Sequence, residues 1–195
     1  MWKILALLVA TSSVAGAMDV VTPPSRALVR KKLAEHRKHN LASFHTYVTR
    51  GIYPHNTKRP GPLNVWLDDS GSYCAAATMI LNDGHQDLVE QTAKTNNHVR
   101  LIDVDDGPLM DWMLTSGLTL EDVDRIQEVA VGLDGQIEQD NYVIEPRVWT
   151  AEELRLKKKY VATEAALAKQ TDADLDLAAD RLMAYPQLAW KLVKG

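Results

Sequence analysis

The sequence predicts a predominantly helical α+β fold: a small antiparallel sheet or hairpin with packed helices, closed by a C-terminal helical hairpin. Three observations predict it. Residues 63–80 switch from strand-like alternation to a helix-forming run. Helical spacing of apolar residues returns at 26–49, 86–95 and 108–129. A helix start at Thr150-Ala-Glu-Glu153 opens an apolar-spaced tail that continues to the end of the sequence.

The opening residues read as an export signal. Met1-Trp2-Lys3 is a basic start, Ile4 to Val9 is a short apolar run, and Ala15-Gly16-Ala17 is a small-residue cleavage site. Cleavage is expected after Ala17, so residues 1–17 form a signal peptide and the mature protein is secreted or periplasmic. The apolar run is too short to span a bilayer, and no later stretch is apolar enough for an integral membrane segment. Losing Lys3 takes the formal charge from −4 to −5. That acidity argues against a nucleic-acid partner. One cysteine, Cys74, cannot form an internal disulfide, so the fold must stand on its core.

The mature chain divides into a main α+β domain at 18–131, a linker or loop at 132–149, and a helical hairpin at 150–195. Thr22-Pro23-Pro24 is extended and Ser25 is a helix cap. The following helix, 26–49, carries Val29, Leu33, Leu41, Phe44 and Val48 on one stripe. Its front is basic through Arg26, Arg30, Lys31, Lys32, Arg37 and Lys38. That front reads as a solvated face, or as a contact for anionic headgroups or wall polymers. Pro54, Pro60 and Pro62 keep residues 51–62 irregular.

Leu63, Val65 and Leu67 alternate as a half-buried strand, and Asp68-Asp69-Ser70-Gly71 is turn chemistry. Cys74-Ala-Ala-Ala-Thr-Met-Ile-Leu81 favours helix and Asn82-Asp83-Gly84 stops it. Residues 86–95 form a short helix. His98 to Val104 reads as a second strand, giving a sheet from 63–75 and 98–104. Asp103-Val-Asp-Asp-Gly107 lacks the register of a calcium loop and instead starts a helix, with Asp105 or Asp106 as cap and Pro108 in the first turn. Residues 108–129 form a helix pair turning at Ser116-Gly117, the second member capped by Thr119 with Asp122 in capping-box position. The turn has the spacing of a helix-turn-helix. Its second helix carries Glu121, Asp122, Asp124 and Glu128 against Arg125, so it would repel phosphate.

Gly132 to Trp149 interrupts the helical pattern. Leu133-Asp134-Gly135-Gln136 is turn-like, and Tyr142-Val143-Ile144 is a short strand limited by Pro146. Beyond it, Leu154, Val161, Ala165 and Ala168 form a narrow apolar stripe. Thr171 or Asp172 starts a second helix with Leu175, Ala178, Leu182 and Met183, and Pro186 breaks it before Leu188, Trp190 and Leu192. The two helices are expected to pair and to dock on the main domain, or on another chain.

Chemistry centres on Cys74, at the start of a helix. A helix N-terminus favours a thiolate, and a histidine from a later element could serve as base. His98 and His85 are the candidates, with Asp103 or Asn97 to orient the imidazole. That constellation would make a cysteine hydrolase with the layout of papain-like and transglutaminase-like enzymes, although the 24 residues from Cys74 to His98 are few for those folds. The alternative is a small buried apolar residue against Trp66 and Met79. His36 and His39 share a helix without a third ligand, so no metal is expected, and no motif implies a cofactor.

Leu67 to Gly71, Cys74-Ala75-Ala76-Ala77, Gly84-His85, Asn97-His98-Val99, Leu118-Thr119-Leu120 and Arg125-Ile126-Gln127 together resemble a recurring pattern in uncharacterised exported bacterial proteins. The resemblance covers residues 52–127, implies export, and carries no activity or catalytic role. The leading expectation is a non-enzymatic exported module that binds a protein or a cell-envelope component, with the cysteine hydrolase as its rival.

Overall fold

The computed structural model describes residues 21–132, 146–169 and 171–195. The signal-peptide reading of 1–17 therefore lies outside the described residues, as do the turn at 133–136 and the strand at 142–144. The elements run α1 (Arg26–Arg50), β1 (Gly61–Leu63), α2 (Ala75–Asn82), α3 (Gln86–Thr95), a 3₁₀ turn (Leu101–Asp103), α4 (Gly107–Thr115), α5 (Leu120–Ile126), β2 (Ala130–Gly132), α6 (Pro146–Lys169), α7 (Thr171–Met183) and α8 (Pro186–Lys194). The fold is predominantly helical α+β with one small antiparallel sheet.

Helix α1 is the spine. Ser25 caps it, its side chain accepting the Leu28 N–H at 3.3 Å, and Gly51 ends it in the left-handed region. Helices α2, α6, α7 and α8 all pack on it. Its buried face changes character along its length. Val29 and Leu33 enter an apolar cluster with Leu114, Leu175, Ala179, Leu182 and Leu192. Phe44, Tyr47 and Val48 enter a larger cluster with Trp66, Met79, Ile80, Met113, Leu156 and Tyr160. Between the two lies a polar layer of Arg37 and Asn40, both fully buried.

Arg37 holds that layer together. One guanidinium nitrogen donates to Asp122 Oδ2 at 2.8 Å and to the Gly117 carbonyl at 3.1 Å. The other donates to Asp174 Oδ2 at 2.8 Å and to the Leu167 carbonyl at 3.1 Å. Asn40 donates to the Ser116 carbonyl at 3.1 Å. One arginine thus ties α1 to the α4–α5 turn, the end of α6 and the start of α7. The turn approaches α1 so closely that a Cβ on Gly117 would sit 2.2 Å from the Leu33 carbonyl oxygen. The predicted capping box is present, Thr119 accepting from the Asp122 N–H and Asp122 accepting from the Thr119 N–H.

The sheet lies elsewhere than expected. β1 pairs antiparallel with β2 in the register Gly61↔Gly132, Pro62↔Val131 and Leu63↔Ala130. Of residues 63–75, Leu63 ends β1 and the rest contribute only an isolated Leu67↔Tyr73 bridge, and 98–104 holds a 3₁₀ turn instead of a strand. Two carboxamides explain this. The Asn97 side chain accepts from Leu67 N–H at 3.0 Å and donates to the Leu67 carbonyl at 2.8 Å. The Gln127 side chain accepts from Leu101 N–H at 2.7 Å and donates to the Val99 carbonyl at 2.9 Å. Each satisfies a backbone pair that a neighbouring strand would otherwise serve. The Asp68–Gly71 turn forms as expected, with Asp68 Oδ1 accepting from Ser70 N–H and Ser72 N–H.

The tail differs in three ways. Helix α6 opens at Pro146, so Thr150 lies within it and is not its cap, and 146–149 is helix, not linker. Its buried face is Leu156, Tyr160 and Leu167, while Leu154 and Val161 of the expected stripe are 63% and 50% exposed. Helices α6 and α7 both pack on α1, with α6 also against α5 and β2, and α7 also against α4 and α8. Each therefore finds its main partner in the spine and not in the other.

Candidate functional site

Cys74 stands where the sequence puts it, as the N-cap of α2. Its sulfur accepts from the Ala77 N–H at 3.4 Å. The helix-terminal donors that could stabilise a thiolate are therefore present, but the thiol is 3% exposed and sits beside Tyr47 and Tyr160. Burial pushes it up to about 11, outweighing the Ala77 and Ala76 N–H groups that pull it down. Burial also raises both tyrosines. The rings pack into one cluster, Tyr160 lying 5.8 Å from Phe44, 5.5 Å from Tyr47 and 5.2 Å from Tyr53.

Three of the proposed partners of Cys74 are engaged elsewhere. His98 is exposed, with Nδ1 2.7 Å from the Asn64 carbonyl oxygen, which fixes Nδ1 as the protonated nitrogen. His85 is exposed at the N-terminus of α3. Asp103 faces Arg100 at 3.5 Å, and Asn97 holds Leu67. No hydrogen bond among the described residues joins Cys74 to an imidazole. The structure gives Cys74 the environment of a core residue, against the same Trp66 and Met79 cluster that its apolar reading requires. Among the described residues, no three His, Cys, Asp or Glu side chains are placed to hold a metal ion.

A different site is assembled by α3, α4 and α8. A groove of about 390 Å³ is floored by Leu88, Pro108, Trp112, Leu188 and Leu192 and rimmed by His36, His85, Asp111 and Lys191. Trp112 is locked in place: its Nε1–H donates to Asp83 Oδ2 at 2.6 Å, and Asp83 Oδ1 lies 3.2 Å from His39 Nε2. The floor is thus apolar, with its tryptophan held by a hydrogen bond, and the rim mixes both signs of charge. Trp112 belongs to α4, and Leu188 and Leu192 belong to α8, two helices far apart in the sequence. The Leu188/Leu192 spacing marks the α8 face, but only the fold sets it opposite Leu88 and Trp112. A smaller hollow of about 250 Å³, lined by Tyr47, Arg50, Ile52, Tyr73 and Thr78, lies at the C-terminal end of α1.

The basic front of α1 is covered in part by the protein itself. Arg26 pairs with Asp176 and Asp180, and Arg30 with Asp172 and Asp176, all on α7. Arg37 is buried. No helix among the described residues is long and apolar enough to cross a membrane. No protein-family model, curated protein or solved structure matches this chain.

Proposed function

We propose that this chain is a non-enzymatic exported module that binds a protein or cell-envelope component through the groove between α3, α4 and α8. The observation that carries the reading is the apolar floor formed by Leu88, Trp112, Leu188 and Leu192 in a solvent-open concavity. Concave sites with apolar walls and a few polar groups at the rim are where proteins take ligands and partner side chains. A mixed-charge rim orients a partner without demanding one of strong charge. The buried thiol supports the non-enzymatic side of the reading, since a nucleophile needs access and a base.

The test is capture of exported and envelope fractions by the purified mature protein, with Leu188→Glu as comparison. Leu188 is half-buried at the groove, and its replacement leaves the larger core cluster untouched. Capture that survives high salt and is lost in Leu188→Glu supports the reading. Equal capture by both proteins overturns it. Deleting 150–195 is not an equivalent test, because it removes Leu156, Tyr160, Leu175 and Leu182 from the core.

A further inference from the structure

We infer that two copies of this chain associate through the outward face of α6, antiparallel, about a two-fold axis at Val161. Helix α6 has two apolar faces. One, Leu156, Tyr160 and Leu167, is in the core. On the other, Leu154 is 63% and Val161 50% exposed, and Ala165 and Ala168 are exposed with them. Spacings of seven, four and three keep these four on one stripe suited to a second helix.

The stripe is complementary to its own antiparallel copy. An axis at Val161 sets Leu154 of one copy opposite Ala168 of the other, and symmetry repeats the contact. A large side chain meets a small one twice, with Val161 against its own equivalent at the centre. The same operation brings Lys157 alongside Glu164 of the second copy, on the same flank of the stripe. Lys157 and Lys158 are exposed and form no ion pair among the described residues, whereas Glu164 uses one oxygen for His45 at 2.6 Å and keeps the other. A parallel pairing would instead set Lys157 and Lys158 against themselves, which like-charge repulsion disfavours. A membrane surface fits less well, because the stripe holds only two large apolar residues and no aromatic.

The test uses the mature chain with Val161→Cys and a short bis-maleimide. Cys74 is buried, so the unsubstituted protein is the blank. Leu177→Cys, replacing a residue 62% exposed on α7, reports random collision. The Val161→Cys protein is expected to cross-link to a dimer on the order of ten to a hundred times faster than the Leu177→Cys protein. Val161→Glu is expected to lower the dimer fraction in sedimentation equilibrium while leaving the circular dichroism spectrum unchanged. Equal cross-linking at the two positions, a monomer at every concentration, or sedimentation with anionic vesicles that Val161→Glu abolishes without any dimer would each overturn the proposal.

Discussion

Arg37→Met is the substitution that best tests how this fold is held. The methionine keeps most of the volume and removes the charge. Asp122 and Asp174, with side chains 3% and 9% exposed, then face each other without a cation. The Gly117 and Leu167 carbonyls lose their donors as well. Breaking a buried ion pair by removing one partner costs about 3–5 kcal/mol, because the remaining charge stays desolvated. For a chain of this size that lowers the melting temperature by roughly 6–20 °C. The pH dependence carries the sharper signature. In the native protein, burial and then Asp122 hold the Asp174 carboxyl above its ordinary value, and Arg37 opposes them. Without Arg37 the folded-state value rises further. A folded value above the unfolded one means that the ionised group opposes folding at higher pH, and that this penalty fades as pH falls through the folded value. The deficit of Arg37→Met relative to the native protein should therefore shrink between pH 7.5 and 4.5, and Asp174→Asn added to Arg37→Met should recover part of it at pH 7.5. Urea unfolding followed by circular dichroism measures all of this. A loss below about 1 kcal/mol, the range of an exposed pair, would refute the account. A deficit of equal size at both pH values would refute it too.

Three further outcomes follow from the same geometry. Gly117→Ala should destabilise by about 2–4 kcal/mol in thermal unfolding, since it combines a φ of +77° with a Cβ 2.2 Å from the Leu33 oxygen. Asn97→Ala should cost about 1–3 kcal/mol in urea unfolding, because the Leu67 N–H and carbonyl lose a two-point partner; Asn97→Asp, which keeps only the acceptor, should fall between it and the native protein. Iodoacetamide at pH 8 should label Cys74 only on unfolding, since a thiol pushed up to about 11 is both protonated and buried. For that thiol the folded value lies above the unfolded one, so its contribution to stability is full at neutral pH, declines from about pH 9, and levels off above about 11.

Local chemistry was the legible part of this fold. Ser25, the Thr119–Asp122 box, the Asp68–Gly71 turn and the position of Cys74 at the head of α2 each depend on residues within four positions of one another. The pairing of β1 with β2 was not legible: Gly61-Pro-Leu63 carries no alternation, and its partner is distant in the chain. The strand expected at 98–104 failed because the Asn97 and Gln127 side chains do a neighbouring backbone's work, which no periodicity reports. Helix α6 offered two stripes at helical spacing, and the choice between them was tertiary: Tyr160 completes the Phe44, Tyr47 and Tyr53 cluster, so its face turned inward. The burial of Cys74 was hidden for a related reason. The helix terminus that suits a thiolate was readable, but the tyrosines that bury it come from α1 and α6.

The distribution of charge decides what kind of recognition remains open to the surface. Read alone, α1 presents a row of cations suited to anionic polymers. In the fold, Arg26 and Arg30 pair with Asp172, Asp176 and Asp180, and both Asp176 and Asp180 are held below their ordinary values by those arginines. The pairs are solvent-exposed and weak one by one, so their effect is to register α7 on α1 more than to stabilise it. What they do remove is a concentrated positive field from the outside of the spine. Among the described residues, the α3–α4–α8 groove and the outward stripe of α6 are both left unpartnered and apolar, with charges of mixed sign around them. Association at such surfaces is driven by removing apolar area from water and only oriented by charge. That is why persistence in high salt discriminates this mode of binding from the electrostatic one that the α1 sequence suggests.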